Sequence, residues 1–280
     1  MLFLGTAGAV PTARRAPSAT LIRRGGERIL VDCAEGTQRQ LLRSVAGLSD
    51  VDLVLLTHHH ADHVLGLPGM MKTFALRDRD QPLVIAGPRG LGALMAGFAP
   101  VIGRLTYEVQ VCELAPGEAI ERDGYRVEPY ATQHGAPSLG YALCEERRPG
   151  RFDLDAARAA GVPDGPLFGR LQSGEAVTLE SGQVIEPEVV LGPPRPGRRV
   201  VFSGDTRPCP ETVEAQVAML ALTHISTRHT AREIRDEARG LFPGTVVPRD
   251  LDLIEVPFAE KGGPRLIRSE DLVAEPVTPS

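Results

Sequence analysis

The chain has 280 residues, 42% of them hydrophobic, and a formal net charge of −5, which is enough apolar content to bury one sizeable core. No run approaches the roughly 18 uninterrupted apolar residues of a membrane span, and no basic-then-apolar leader opens the chain, so a cytoplasmic protein without membrane association is expected. The acidic balance argues against a surface coated in basic charge, yet a local arginine patch for nucleic acid stays compatible with it.

In chain order, the apolar runs "MLFLGTAG", "SATLIRRGGERILVDC", "VDLVLLTH", "QPLVIAGPRG", "YRVEPYATQHG", "GYALC", "RRVVFSGD" and "VAMLALTH" read as strands rich in Val, Leu and Ile that end in Gly, Asp or His. The first long run predicts a hairpin turning at Gly25 and Gly26. Helices are expected over "GTQRQLLRS", "HVLGLPGMMKTFAL", "LGALMAGFAP" and, late in the chain, "TAREIRDEARGL". Strands that first pair locally and are later separated by helices predict an α/β fold of two sheets packed together with helices outside. One stretch differs from the rest. Residues 145–197 are dense in Gly and Pro, carry one short helical run, "DLDAARAAG", and lie between two core strands. They are expected to form a protruding arm on a single domain spanning 1–280, since long excursions from compact domains are usually functional.

The chemistry concentrates in "LTHHHADHVLGLPG". The strand "DLVLL" delivers the chain to His58, and alternation lets His58 and His60 face one metal while Asp62 and His63 on the next turn reach a second. His59 points away from them and is left out. Imidazole and carboxylate ligands suit zinc or manganese, both compatible with hydrolysis. Three further ligand-type residues also follow strands: His134 after "VEPYATQ", Asp205 after "RRVVFSG" and His224 after "VAMLALT". Only His59 and His229 of the seven histidines stay unassigned. The cysteines Cys33, Cys112, Cys144 and Cys209 lack CxxC spacing and fit reduced thiols with no role at the site.

The HxHxDH cluster, the later His, the "GDT" and the final His resemble the metallo-β-lactamase fold, an αββα sandwich of two mixed sheets. The finer resemblance is to ribonuclease Z, the tRNA 3′-processing endonuclease. It rests on "FLGTAGAVPT", "ILVDCAEGTQRQLLR", "LTHHHADHVLGLPGMM", "VIAGPRGL", "HGAPSLGYAL", "PDGPLFGRL", "VVFSGDTRPC", "LALTHIS" and "FPGT", which together span nearly the whole chain. The resemblance implies two zinc ions per chain, one held by His58, His60 and His134 and the second by Asp62, His63 and His224, with Asp205 bridging them. It implies that Asp62 also takes a proton from the attacking water, that the substrate is precursor tRNA, and that the arm is an exosite gripping the tRNA elbow. Arg147, Arg148, Arg151, Arg158 and Arg170 are its candidate phosphate contacts. A homodimer is implied as well, and "TARRAPSA" after the first strand is expected to line the site.

The sequence departs from the family at one place. Ribonuclease Z is expected to carry, between "GDT" and the final histidine, a strand ending in a HEAT-like motif and a loop carrying HST, whose glutamate and histidine assist protonation of the leaving oxygen. Here "ETVEAQ" runs directly into "VAMLALTH". Eleven residues separate Asp205 from Val217, close to the minimum of about a dozen for a parallel crossover, with "PETVEAQ" as a two-turn helix entered at Pro210. An active phosphodiesterase therefore competes with a catalytically impaired tRNA- or metal-binding remnant and with another phosphodiesterase of the same fold.

Overall fold

The computed structural model describes residues 1–48, 50–209 and 217–272. The chain folds as two compact units, one comprising Met1–Ile120, Val127–Ala142 and Val200–Ser280, the other Glu121–Arg126 and Leu143–Arg199.

The first unit is organised by an eight-stranded mixed sheet. Its opening strands β1 (Leu2–Gly5), β2 (Ala19–Arg24) and β3 (Glu27–Val31) are antiparallel, and the β2–β3 hairpin turns between Arg24 and Glu27 as the Gly pair predicts, with Gly25 at φ 57°. A type of turn that needs positive φ selects glycine there. From β3 the pairing becomes parallel through β4 (Leu53–Leu55), β5 (Leu83–Gly87) and β6 (Val109–Glu113). Helices α1 (Thr37–Arg43), α2 (Ala61–Val64), α3 (Leu67–Leu76) and α4 (Leu91–Ile102) lie in the connections that parallel pairing requires. Strand β4 is buried on both sides: Val54 and Leu56 join the cluster with Leu41, Met70, Met71 and Phe74 from the helices, while Leu53 and Leu55 face the opposite way.

On that opposite side the chain adds β7 (Ile120–Arg122), β8 (Tyr125–Ala131), β9 (Leu139–Glu145) and β12 (Arg199–Phe202), which form a four-stranded sheet in the order β12-β9-β8-β7. Within the first unit, β9 is tied to the end of β4 by the buried Tyr141 hydroxyl, which donates to the Leu56 carbonyl at 2.7 Å, and by Leu139 N–H to the Thr57 carbonyl at 2.9 Å. Strands β13 (Leu220–Ala221) and β14 (Thr245–Val246) pair in parallel around the helix Ala231–Leu241, forming a sheet separate from that of β12. Strands β15 (Leu253–Glu255) and β16 (Arg265–Ile267) close the other edge of the large sheet beside β1.

The second unit contains most of the Gly/Pro-rich stretch and is more ordered than its composition suggests. Besides the expected helix α5 (Leu154–Ala159) it holds α6 (Pro166–Gln172) and a hairpin of β10 (Val177–Thr178) with β11 (Val184–Ile185). These surround a core of their own, made by Ala157, Val162, Leu171, Val177, Ile185 and Val190. Periodicity missed them because each element contributes only one or two of these residues. The expected helix over "PETVEAQ" lies outside the described residues.

The predicted helix "HVLGLPGMMKTFAL" is broken at Gly66 into α2 and α3. The Gly66 N–H donates to the Cys33 carbonyl at 2.9 Å, and a Cβ at Gly66 would stand 2.0 Å from the Ala34 carbonyl oxygen. The φ of −76° is ordinary, so close approach of the backbone after β3 is what demands glycine. Gly66→Ala is expected to cost about 1–3 kcal/mol as overpacking against an unyielding carbonyl, measured as a lowered urea midpoint at unchanged slope.

Candidate metal centre

All seven sequence-predicted ligand residues belong to the first unit and sit at strand exits. His58 and His60 follow β4; Asp62 and His63 lie on the single turn α2; His134 follows β8; Asp205 follows β12; His224 follows β13. They assemble into two groups, His58, His60 and His134 in one, Asp62, His63, Asp205 and His224 in the other, with the candidate ligand atoms of each group within 4.8 Å of one another.

Each exit is stitched in place by backbone contacts. The His134 loop is joined to the segment after β12 by Gln133 N–H to the Thr206 hydroxyl at 3.0 Å and Arg207 N–H to the Gln133 carbonyl at 2.9 Å. His224 adopts φ 57°, uncommon for a residue with a side chain, and its neighbour Ile225 bridges Ala7 in parallel, with Ile225 N–H to Thr6 O and Gly8 N–H to Ile225 O both at 3.0 Å. Ahead of Asp205, Gly204 has φ 58° and leaves no room for a side chain, since its Cβ would lie 2.7 Å from the Thr57 Cβ.

The spacing fits divalent cations. Bonds of about 2.0–2.1 Å at tetrahedral angles place neighbouring ligand atoms roughly 3.4 Å apart. In the second group His224 Nε2 is 3.0 Å from Asp205 Oδ2 and 3.3 Å from Asp62 Oδ2, while His63 Nε2 is 3.5 Å and 3.6 Å from Asp62 and Asp205. In the first, His134 Nε2 and His60 Nδ1 are 3.1 Å apart. The buried Nε2 of His58 has no hydrogen-bond partner and that of His63 only distant carboxylate oxygens, which is costly for polar atoms unless a cation takes the position. The chain thus holds a divalent-metal centre.

Asp32, which directly follows β3 and carries φ 57°, belongs to this centre although the ligand pattern did not reveal it. Only 2% exposed, it receives His63 Nδ1 at 2.7 Å and the Thr57 N–H at 2.8 Å. The one signal available was an aspartate closing an apolar strand in "ILVDC". Arg147 and Arg151 are exposed; Arg158 and Arg170 instead form ion pairs within the second unit, with Asp164 at 3.0 Å and Glu175 at 3.1 Å. Arg148 is half-buried, and its guanidinium Nη2 reaches the Pro196 carbonyl at 3.5 Å.

Burial and charge pull the histidines apart. Burial lowers His58 to about 4, reinforced by the neighbouring His63 charge. Burial also acts to lower His63, but Asp32 and Asp205 overrule it and hold the ring up at about 10. Asp205 is held below the usual carboxylate range: burial would raise it, and His63 and His224 prevail. In chelator-treated protein the unfolded chain protonates His58 at about 6.5 while the folded chain does not until about 4, so stability falls as pH drops through that window. His63 has the opposite sign: its raised pKa contributes stability below about 6.5 that is lost as pH rises towards about 10. Thermal melts of chelated protein should therefore peak near pH 6.5, and added divalent metal, which displaces the His63 proton, should flatten the alkaline limb.

The metallo-beta-lactamase superfamily pattern matches residues 12–139. The chain is similar to ribonuclease Z of Methanosarcina acetivorans, at 41% identity over 298 positions covering 91% of this chain and 97% of that protein. It is also similar to ribonuclease Z of Myxococcus xanthus, at 44% over 253 positions, 85% of this chain and 82% of that one. Among solved structures, a metallo-beta-lactamase fold protein of Bacillus subtilis superposes with a TM-score of 0.54 at 17% identity over 88% of this chain and 94% of its own, a likeness of fold. The Methanosarcina alignment spans 298 positions although only 91% of the 280 residues take part, so that relative carries residues for which this chain has no counterpart.

Proposed function

The chain belongs to the ribonuclease Z family and has the metallo-β-lactamase fold, and we propose that it is an endoribonuclease that removes the 3′ trailer from precursor tRNA, leaving a 3′-hydroxyl on the tRNA and a 5′-phosphate on the trailer. The observation that carries this reading is the convergence of seven ligand-type side chains into two adjoining sites in a chain 41% identical to a ribonuclease Z along almost its full length. The ligands are assigned as His58, His60 and His134 for one ion and Asp62, His63 and His224 for the other, with Asp205 shared; zinc, two per chain, suits the imidazole-rich donor set. Two such cations would supply a water acidified by both charges and a counter-charge for the phosphate oxygens.

The chain's own groups then have separate tasks. Asp62, its carboxylate oxygen beside both His63 and His224 and its side chain 15% exposed, can receive the proton of the attacking water from the solvent side. The buried rings of His58 and His63 exclude bulk water behind the centre. In the second unit acidic residues outnumber arginines between 145 and 197, so a diffuse cationic field is not what would hold RNA. The exposed Arg147 and Arg151 are the better phosphate contacts, because Arg158 and Arg170 are already neutralised by Asp164 and Glu175. This unit is proposed as the arm that binds tRNA. A cytoplasmic homodimer is proposed on the family pattern, with sedimentation velocity as its test.

Purified protein should contain close to two zinc ions and cut precursor tRNA after the discriminator nucleotide, with Asp62→Ala abolishing cleavage; failure to retain metal would sink the ligand assignment. The Arg147→Ala/Arg151→Ala double variant should weaken tRNA binding and reduce its salt dependence by up to two phosphate contacts, whereas Arg158→Ala/Arg170→Ala should change both little.

A second reading is favoured by the direct run of "ETVEAQ" into "VAMLALTH", together with residues of the Methanosarcina protein that have no counterpart here. If the missing residues include the donor for the leaving oxygen, precursor tRNA cleavage should be slow while a phosphodiester with a nitrophenolate leaving group, which needs no proton, is cleaved well. General acids typically contribute about 10²–10⁴-fold, which sets the expected deficit. Equal efficiency relative to a full-length relative on both substrates would exclude the impaired reading.

A further inference from the structure

Asp32 touches the surroundings of both metal sites. Its Oδ2 is 2.7 Å from His63 Nδ1. Its two oxygens stand 3.0 and 3.1 Å from the Thr57 hydroxyl, and that hydroxyl is in turn 3.1 Å from His58 Nδ1. We infer that this single carboxylate fixes the tautomer of one histidine in each site, His63 by direct contact and His58 through the Thr57 hydroxyl. The inference rests on the ligand assignment proposed above.

The chemistry leaves little freedom. An ionised carboxylate only accepts hydrogen bonds, and a threonine hydroxyl has one proton to give. With both Asp32 oxygens facing it, the Thr57 hydroxyl directs its proton to Asp32. What it offers His58 is therefore a lone pair, and His58 must carry its proton on Nδ1 to meet it. The His58 Nε2 is then bare, and it is the buried nitrogen without a hydrogen-bond partner. In His63 the Nδ1–H donates to Asp32, so Nε2, turned towards Asp62 and Asp205, is the nitrogen left for a cation once its proton is displaced. Free imidazole favours the other tautomer, with the proton on Nε2, which would block a cation from either ring.

Asp32 is itself rigidly placed. Its N–H donates to the Leu55 carbonyl, Ser18 donates to Oδ2 at 3.2 Å, and Cys33 N–H donates to the His63 carbonyl at 2.8 Å, so the strand exit carrying Asp32 and the turn carrying His63 move as one piece. The carboxylate and Thr57 are thus positioning residues with unequal reach: Asp32 acts on both sites, Thr57 on the three-histidine site alone.

The test reads the His58 tautomer directly, by NMR of nitrogen-labelled histidine in chelated protein at pH 8, and the two zinc affinities by chelator competition. Wild type should show His58 protonated on Nδ1. Thr57→Val, which keeps the shape and removes the hydroxyl, should move the proton to Nε2 and weaken zinc at the three-histidine site about 10–100-fold, with less than threefold change at the other. Thr57→Ser should restore both. Asp32→Asn should weaken both sites; should that variant not fold, the Thr57 pair still decides. Thr57→Val retaining the Nδ1 proton, or losing zinc equally from both sites, or failing to be rescued by Thr57→Ser would overturn the inference and leave Thr57 as packing against Gly204. A tautomer switch in protein that binds no zinc would instead support the relay and refute the metal assignment.

Discussion

Four charged or chargeable side chains, Asp62, His63, Asp205 and His224, each bring one polar atom within 4.8 Å of the others, and the rest of the first unit is arranged so that they can. Such a group repels solvent poorly and tolerates no slack, because an unpaired charge out of water costs several kcal/mol. The close approaches elsewhere follow from this need. Gly66 brings the backbone after β3 onto the α2 turn, and Gly204 lets the chain pass against Thr57. Three backbone positions at the centre's strand exits, Asp32, Gly204 and His224, hold positive φ. Strain gathers where side chains must be aimed rather than merely packed.

The fold was legible wherever burial imposed a period. Strands β2 to β5 and helices α1, α3 and α4 follow apolar runs that leave one reading, and the Gly25–Gly26 turn has its own chemistry. The second unit was less legible because its small core draws single residues from several short elements, and no window of sequence contains enough of them to show a period. At the centre, the candidate ligands could be picked out because they follow strands or, for Asp62 and His63, lie on the turn next to the exit of β4, and the structure gathers the seven into two groups. Asp32 and Thr57 escaped notice for a related reason: their significance lies in hydrogen bonds between residues 25 positions apart, and in composition they are one more Asp and one more Thr at strand ends.

The short span between Asp205 and His224 looks different once the strands are in place. Asp205 and His224 lie shortly beyond the ends of β12 and β13 and share one group, yet among the described residues these strands belong to separate sheets. Among the described residues, the two candidate ligands therefore meet without those strands being neighbours in a ladder. Metal binding and turnover place different demands on that region: the first needs two side chains in position, the second needs whatever protonates the leaving oxygen.

The helix Ala231–Leu241 buries none of its residues, and Leu241 is 91% exposed. It is sustained by its own capping box at Thr230 and Glu233 and by pairing of β13 with β14, so little apolar burial fastens it. In hydrogen-exchange terms such a segment belongs to the low-stability end of the molecule. His224 lies between β13 and this helix, so a cation held jointly with Asp62 and His63 would add a tie to a segment that the Ile225–Ala7 bridge already joins to the chain after β1, and would stabilise it by mass action.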